Sequence, residues 1–322
     1  MARVLVGGGC GFIGSHLVDR LLARRDVREL CIVDNLWTGL HDNIAHVHDP
    51  RLHFVHTDVE HFRTEQRFDE IYHLASPASP PWYMAHPLRT ISANVCGALN
   101  LVSLLKEGGQ IAYTSTSEVY GDPLVSPQPE TYRGYVDCTG PRSSYDESKR
   151  CVEELLFEAR RVHGVRVKVV RLFNVFGPRT RVDDGRAVSN FITQGLRGLP
   201  ITVYGDGLQT RSWTYIDDVT EALERFFWRD RSDFPGPVNI GNDREVSVLD
   251  VAKYVQRRFP DSPIEFAPSP PQDPTNRRPD LTLANQVIPG WAAGTVYEDG
   301  VDRTIDWFRG HMADQPTRAT HL

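Results

Sequence analysis

Val4-Leu5-Val6-Gly7-Gly8-Gly9-Cys10-Gly11-Phe12-Ile13-Gly14 runs from an apolar strand pattern, through clustered glycines, into the start of a helical pattern. Glycine at Gly8, Gly11 and Gly14 lets the backbone turn tightly and approach a pyrophosphate. The helix start at Phe12 and Ile13 offers free N–H groups and a positive dipole end to that anion. Asp34 follows Gly14 by twenty residues, at the end of a second apolar run. A carboxylate there can accept both ribose hydroxyls of an adenosine and repels a 2′-phosphate, so the stretch reads as a site for NAD rather than NADP. Asn35, Thr38 and Gly39 continue the same loop toward the adenosine, and Asp58-Val59, after a third run, can flank the adenine.

Outward from this loop, strands are expected at Arg3–Gly7, Glu29–Asp34, Leu52–His56, Glu70–Ala75, Gln110–Ser115 and Val165–Leu172. Helical periodicity falls between them, over Phe12–Arg24, Leu88–Lys106 and Ser143–His163. This alternation predicts an α/β chain with a doubly wound, Rossmann-type parallel sheet. After about Pro178 the elements shorten: helices near Val188–Arg197, Asp217–Arg229 and Val248–Arg258, and a strand at Thr202–Tyr204. Residues 1–178 are therefore read as mainly NAD-binding and 179–310 as mainly a smaller α/β substrate-binding lobe. Ala267–Pro279 holds five prolines and is expected to be extended or irregular. The tail 311–322 shows no pattern and is a candidate for disorder.

A chain of 322 residues can bury one large core or two lobes around a cleft. With 40% apolar residues and a net charge of −6, composition points to neither disorder nor a nucleic-acid-binding surface. Met1-Ala2-Arg3 leads straight into the first strand and no run approaches a membrane span, so neither a signal peptide nor a membrane segment is expected. Five scattered cysteines without CxxC spacing read as free thiols of a reducing cytoplasm. The group His46, His48, His53, His56 and His61 has neither HExxH spacing nor a cysteine partner, so no metal is expected.

Tyr145-Asp146-Glu147-Ser148-Lys149 places a phenol and an ammonium four residues apart, on one helical face. A cation near a phenol favours the phenolate and draws its pKa toward neutrality, giving a base for a sugar hydroxyl. Ser76, Ser79 and Tyr83 follow the fourth expected strand, at the carboxyl edge where such sheets bind ligands.

The glycine loop, Asp34, Thr114-Ser115-Thr116-Ser117-Glu118-Val119-Tyr120-Gly121 and Tyr145-x-x-x-Lys149 together resemble the extended short-chain dehydrogenase/reductase superfamily that acts on nucleotide sugars. The stretches His73–Pro81, Gly140-Pro141-Arg142, Arg171–Arg179, Asp184–Phe191 and Arg277-Arg278-Pro279-Asp280 resemble, more narrowly, the UDP-glucuronate decarboxylase (UDP-xylose synthase) family. Gly7 and Cys10 depart from its usual Thr and Ala, and both are small.

The resemblance implies an enzyme with NAD as a recycled cofactor and UDP-glucuronate as substrate. Tyr145 takes the C4 hydroxyl proton, Lys149 supports it and Thr116 holds the oxygen. Ser117 and Glu118 position the carboxylate or water and manage reprotonation at C5, and Arg277 approaches the sugar carboxylate. Leu74 and Ser76 fall on the cofactor side. Ser79, Tyr83, Asn174, Arg179, Arg186, Tyr204 and Arg211 are candidates for the nucleotide, diphosphate or sugar. Related 4,6-dehydratases carry Asp-Glu where this chain has Ser117-Glu118; a serine hydroxyl is a poor general acid, which disfavours loss of water. The alternatives are release of the 4-keto pentose with NADH, a UDP-sugar 4-epimerase or 4,6-dehydratase, and a non-catalytic dinucleotide sensor. A homodimer is also implied, pairing the helices near Leu88–Lys106 and Ser143–His163.

Overall fold

Seven strands pair in parallel: β1 (Ala2–Gly7), β2 (Val27–Asp34), β3 (Leu52–His56), β4 (Phe68–His73), β5 (Leu105–Thr116), β6 (Arg166–Leu172) and β7 (Val238–Ile240). Their order across the sheet is β7-β6-β5-β4-β1-β2-β3. This computed structural model describes residues 1–229, 232–269 and 276–312. Most of the tail expected to lack structure, and the middle of the proline-rich stretch, lie outside the described residues.

Helices cover both faces of the sheet, so its central strands are continuously apolar instead of alternating: Val4, Leu5, Val6, Ile32 and Val33 are all fully buried. Helix α1 (Phe12–Leu22) packs Leu17, Val18 and Leu21 against one face. Helix α2 (Ser143–His163) packs Val152 and Leu156 against the other, with Leu101 and Val169. The strand order reverses between β1 and β4, leaving a crevice at their carboxyl ends.

A second core gathers Phe191, Ile192, Ile201, Val203, Val251, Val255, Ile305 and Phe308. It is built by helices Ala187–Leu196, Val248–Arg258 and Tyr297–His311 and by strand Ile201–Tyr204, which pairs with Ile264–Ala267. The chain then crosses back. Val219 and Leu223 of helix Ile216–Glu224 join the first core beside α1, and β7 extends the sheet next to β6.

The continuous helix expected over Leu88–Lys106 is interrupted. Helices Pro87–Ile91 and Gly97–Ser103 flank a π turn at Ser92–Cys96, and β5 already begins at Leu105. Periodicity does not register a one-residue widening, and such turns cluster at functional places. Here the turn carries the buried Asn94. Helix Pro80–Ala85, the three-residue β7 and helix Tyr297–His311 were not foreseen, the first two because they are too short to show a period.

Candidate active site

The crevice between β1 and β4 is lined by Gly8, Gly11, Asp34, Asn35, Thr38, Gly39, Val59, Leu74 and Ser76, all singled out from sequence. Trp37, Glu60, Ala75, Pro77 and Ala93 complete it and were not. Gly8 has a φ of +85°, and a Cβ on it would lie 2.6 Å from the Ala75 nitrogen. A Cβ on Gly14 would lie 2.0 Å from the Gly8 carbonyl oxygen, so α1 starts against the loop only with glycine there. Asp34 accepts the Cys10 N–H on one carboxylate oxygen and the Leu36 N–H on the other, each at 2.9 Å. Burial, the largest influence, raises its pKa, and those two N–H groups oppose the rise. Each oxygen keeps lone pairs for further donors. Asn35 donates to Asp58 at 2.5 Å, and Arg89, 3.4 Å from Asp58, lies over the Trp37 ring at 4.0 Å. Ser76 Oγ is buried with no partner among the described residues. A glycine cradle, a helix N-terminus and an acidic strand end fit a dinucleotide.

At the end of β5, three consecutive residues meet α2. Lys149 donates to the Thr114 carbonyl oxygen at 3.0 Å, Ser115 donates to Glu153 at 2.5 Å, and Thr116 hydrogen-bonds the Tyr145 phenol. Tyr145 and Lys149 are buried. The Lys149 ammonium lies 5.7 Å from the Tyr145 ring centre and 4.7 Å from that of Tyr113. Burial brings Lys149 down to about 7, with Glu153 opposing. The expectation that Tyr145 is drawn toward neutrality is not met in this structure. Burial, the largest influence, pushes its phenol up, and the Thr116 hydrogen bond only partly offsets this. The reason is placement: the ammonium lies near the ring and bonds the Thr114 carbonyl. Tyr83 stacks on Tyr145, centroids 4.9 Å apart and planes at 7°.

Beside the phenol, Ser117 and Glu118 begin a short 3₁₀ turn, Ser117–Tyr120. Arg142 and Arg277 reach Glu118 at 2.9 and 3.0 Å, and Arg211 adds its charge. Burial raises the Glu118 carboxyl, but these guanidinium groups outweigh it and hold Glu118 below the usual carboxylate range. Asp146, buried in the same cluster, goes the other way: burial and the Glu118 charge push it well above that range. Its Oδ1 has no partner among the described residues. Two neighbouring carboxyls in opposite protonation states mark a functional cluster. Arg277 is 1% exposed and also donates to the Gly121 carbonyl oxygen.

The substrate candidates divide. Ser79 donates to the Asp184 carbonyl oxygen, tying the loop after β4 to the second lobe. Arg186 pairs with Asp184 at 2.5 Å, and its charge acts on Tyr145. Asn174 Oδ1 is buried with no partner among the described residues, Arg211 is buried, and Tyr204 is 43% exposed. Arg179 reaches Asp19 of α1 at 2.8 Å, and its Nη1 is buried with no partner among the described residues. The sequence reading passed over Arg142, Asp146, Glu153 and Asn94, which donates to Ser148 at 2.8 Å. Of these, only Glu153 carried a signal in its spacing, four residues beyond Lys149 on the same helix face, and Arg142 stood only within a family motif. No group of three His, Cys, Asp or Glu among the described residues is placed to hold a metal ion, and no described helix is long and apolar enough to cross a membrane.

A strand-loop-helix crevice at a sheet reversal, beside a buried Tyr/Lys pair, defines a dinucleotide-dependent enzyme of the short-chain dehydrogenase type. The NAD-dependent epimerase/dehydratase family model matches residues 4–241, and the chain belongs to that family. UDP-glucuronic acid decarboxylase 6 of Arabidopsis thaliana is 45% identical over 313 residues, covering 95% of this chain and 89% of that protein. UDP-glucose 4-epimerase of Thermotoga maritima, solved with UDP-glucose, superposes with a TM-score of 0.84 at 28% identity, over 96% of this chain and 99% of that one. A mutant UDP-glucuronic acid 4-epimerase of Bacillus cereus, solved with UDP-4-deoxy-4-fluoro-glucuronic acid and NAD, has a TM-score of 0.84 at 25% identity, over 96% and 99%.

Proposed function

We propose that this protein is a UDP-glucuronate decarboxylase that uses NAD as a recycled cofactor and forms UDP-xylose. The observation that carries this reading is Arg277 on Glu118 beside Tyr145. Guanidinium groups converging next to a base suit a sugar carboxylate adjacent to the carbon being oxidised. Bound NAD supplies the acceptor for the C4 hydride and returns that hydride at the end of the cycle. Tyr145 takes the C4 hydroxyl proton and Thr116 holds the oxygen. Oxidised C4 makes a β-keto acid, so carbon dioxide leaves into an enolate whose oxygen accepts from the same two hydroxyls. C5 is then reprotonated, with Ser117 and Glu118 positioning the proton carrier.

Asp34, Asn35, Thr38, Gly39, Asp58 and Val59 hold the adenosine side; Gly8, Gly11, Phe12, Ile13 and Gly14 hold the pyrophosphate; Leu74 and Ser76 lie toward the reacting ring. Ser79, Tyr83, Asn174, Arg186, Tyr204 and Arg211 serve the UDP-sugar, with Arg179 shaping the loop between the lobes. Residues 1–178 mainly bind NAD and 179–310 mainly bind substrate. A homodimer is supported by the exposed Leu88, Ile91, Leu99 and Val162 on the helices expected to pair, and a cytoplasmic site by five free cysteines.

The test is incubation with UDP-glucuronate and NAD, following carbon dioxide, NADH and sugar nucleotides. Carbon dioxide with UDP-xylose and no net NADH is expected. Stoichiometric NADH with a keto pentose means early release, and absence of carbon dioxide refutes decarboxylation.

A further inference from the structure

Tyr145, Lys149 and Glu153 are spaced four apart and share one face of α2. Each is tied to one of three successive β5 residues: Thr116, Thr114 and Ser115 respectively. The first two have roles in the proposed reaction; the third has none. Glu153 is 8% exposed. It accepts from Arg171 at 3.0 and 2.6 Å and from Ser115 at 2.5 Å. Arg171 is itself fixed by the Tyr120 hydroxyl at 3.0 Å and the Glu130 carbonyl oxygen at 3.1 Å. A carboxylate so clamped cannot swing away.

Lys149, one turn earlier, is buried and faces the Thr114 carbonyl, the rings of Tyr113 and Tyr145, and His73. His73 is brought down to about 3 by burial and by the Lys149 charge, so it is neutral and offers no compensation. Without bound cofactor, burial pushes the Tyr113 and Tyr145 phenols both up, so neither sets a negative charge beside Lys149 there. Among the described residues, Glu153 is the one anion whose charge favours the buried ammonium.

We propose that Glu153, clamped by Arg171 and Ser115, is a positioning residue that keeps Lys149 protonated in its buried niche. It acts through Lys149 and touches neither substrate nor cofactor. The inference deepens the reading of Tyr145 and Lys149 as the oxidation pair and rests on it for its catalytic consequence.

The chain has four lysines, so protein labelled with ε-13C lysine gives few resonances, and Lys149 is assigned by its absence in Lys149→Met. The titration midpoint of that resonance, in protein without added ligand, is expected to fall by about one pH unit or more in Glu153→Gln. Glu153→Gln/Arg171→Gln, which leaves no bare guanidinium, serves if the single variant does not fold, and a fall is expected there too. An unmoved midpoint in a folded variant overturns the proposal and leaves Glu153 a purely structural partner of Arg171. The alkaline limb of carbon dioxide release from UDP-glucuronate should move down with the midpoint. A wild type inert toward UDP-glucuronate defeats the substrate reading, while the resonance still decides this one.

Discussion

Tyr83 lies flat on Tyr145, with ring centroids 4.9 Å apart and planes 7° apart. The stack covers one face of the Tyr145 ring, so it is expected to position the phenol. Tyr83→Phe keeps the ring and should retain C4 oxidation within about 3-fold, since aromatic pairs contribute about 1 kcal/mol through their faces. Tyr83→Ala opens a cavity, costing about 3–5 kcal/mol of stability, and should lower carbon dioxide release at least tenfold. Equal rates for Ala and Phe would show that the stack does not position the base.

Arg277 neutralises Glu118 in a buried cluster. Breaking one side of such a pair costs about 3–5 kcal/mol, whereas replacing both partners is far milder. Arg277→Met should therefore unfold at markedly lower urea than Arg277→Met/Glu118→Gln. Both should lose carbon dioxide release by about 100-fold or more if Arg277 holds the sugar carboxylate, since hydrogen bonds between charged groups contribute about 1.5–3 kcal/mol each. Full activity in either variant refutes that role.

For the cofactor, Asp34→Ala removes an acceptor that faces the crevice. NAD affinity, measured by calorimetry, should weaken by about 10- to 100-fold. Gly8→Ala should be more severe, because its Cβ meets the Ala75 backbone at a φ of +85°; strain of about 1–3 kcal/mol accompanies such a residue. Unchanged NAD binding in Asp34→Ala removes the ribose assignment.

Asp146 gives a pH signature. Its pKa is raised in the folded protein by burial and by Glu118, whereas an unfolded Asp titrates near pH ~4. Stability from this group is thus full below about pH 4 and is lost as the pH rises through its folded value. Asp146→Asn stays neutral throughout, so its unfolding free energy should gain on wild type by about 1 kcal/mol or more between pH 5 and 8. Parallel pH curves for the two proteins would place Asp146 outside the cluster's electrostatics.

Much of this was legible in the linear chain because it depends on local rules. The strand-glycine-helix order fixed β1, the cofactor loop and α1, since only glycine fits where a Cβ would meet Ala75 or the Gly8 carbonyl. Asp34 at the second strand's end and Tyr145/Lys149 at helical spacing followed from period alone. The interrupted helix before β5 and the return of β7 to the sheet were not legible, because each depends on packing against distant residues.

The sequence by itself determined the glycine loop with its acidic strand end and the Tyr145/Lys149 pair on one helix face, for these are set by neighbours a few residues away in the chain. Tertiary structure alone decided their protonation. Glu118 is held ionised by Arg142 and Arg277, 24 and 159 residues distant, while Asp146 beside it keeps its proton. Charge states in a buried cluster depend on desolvation and on every nearby charge at once, and only the folded chain brings those together.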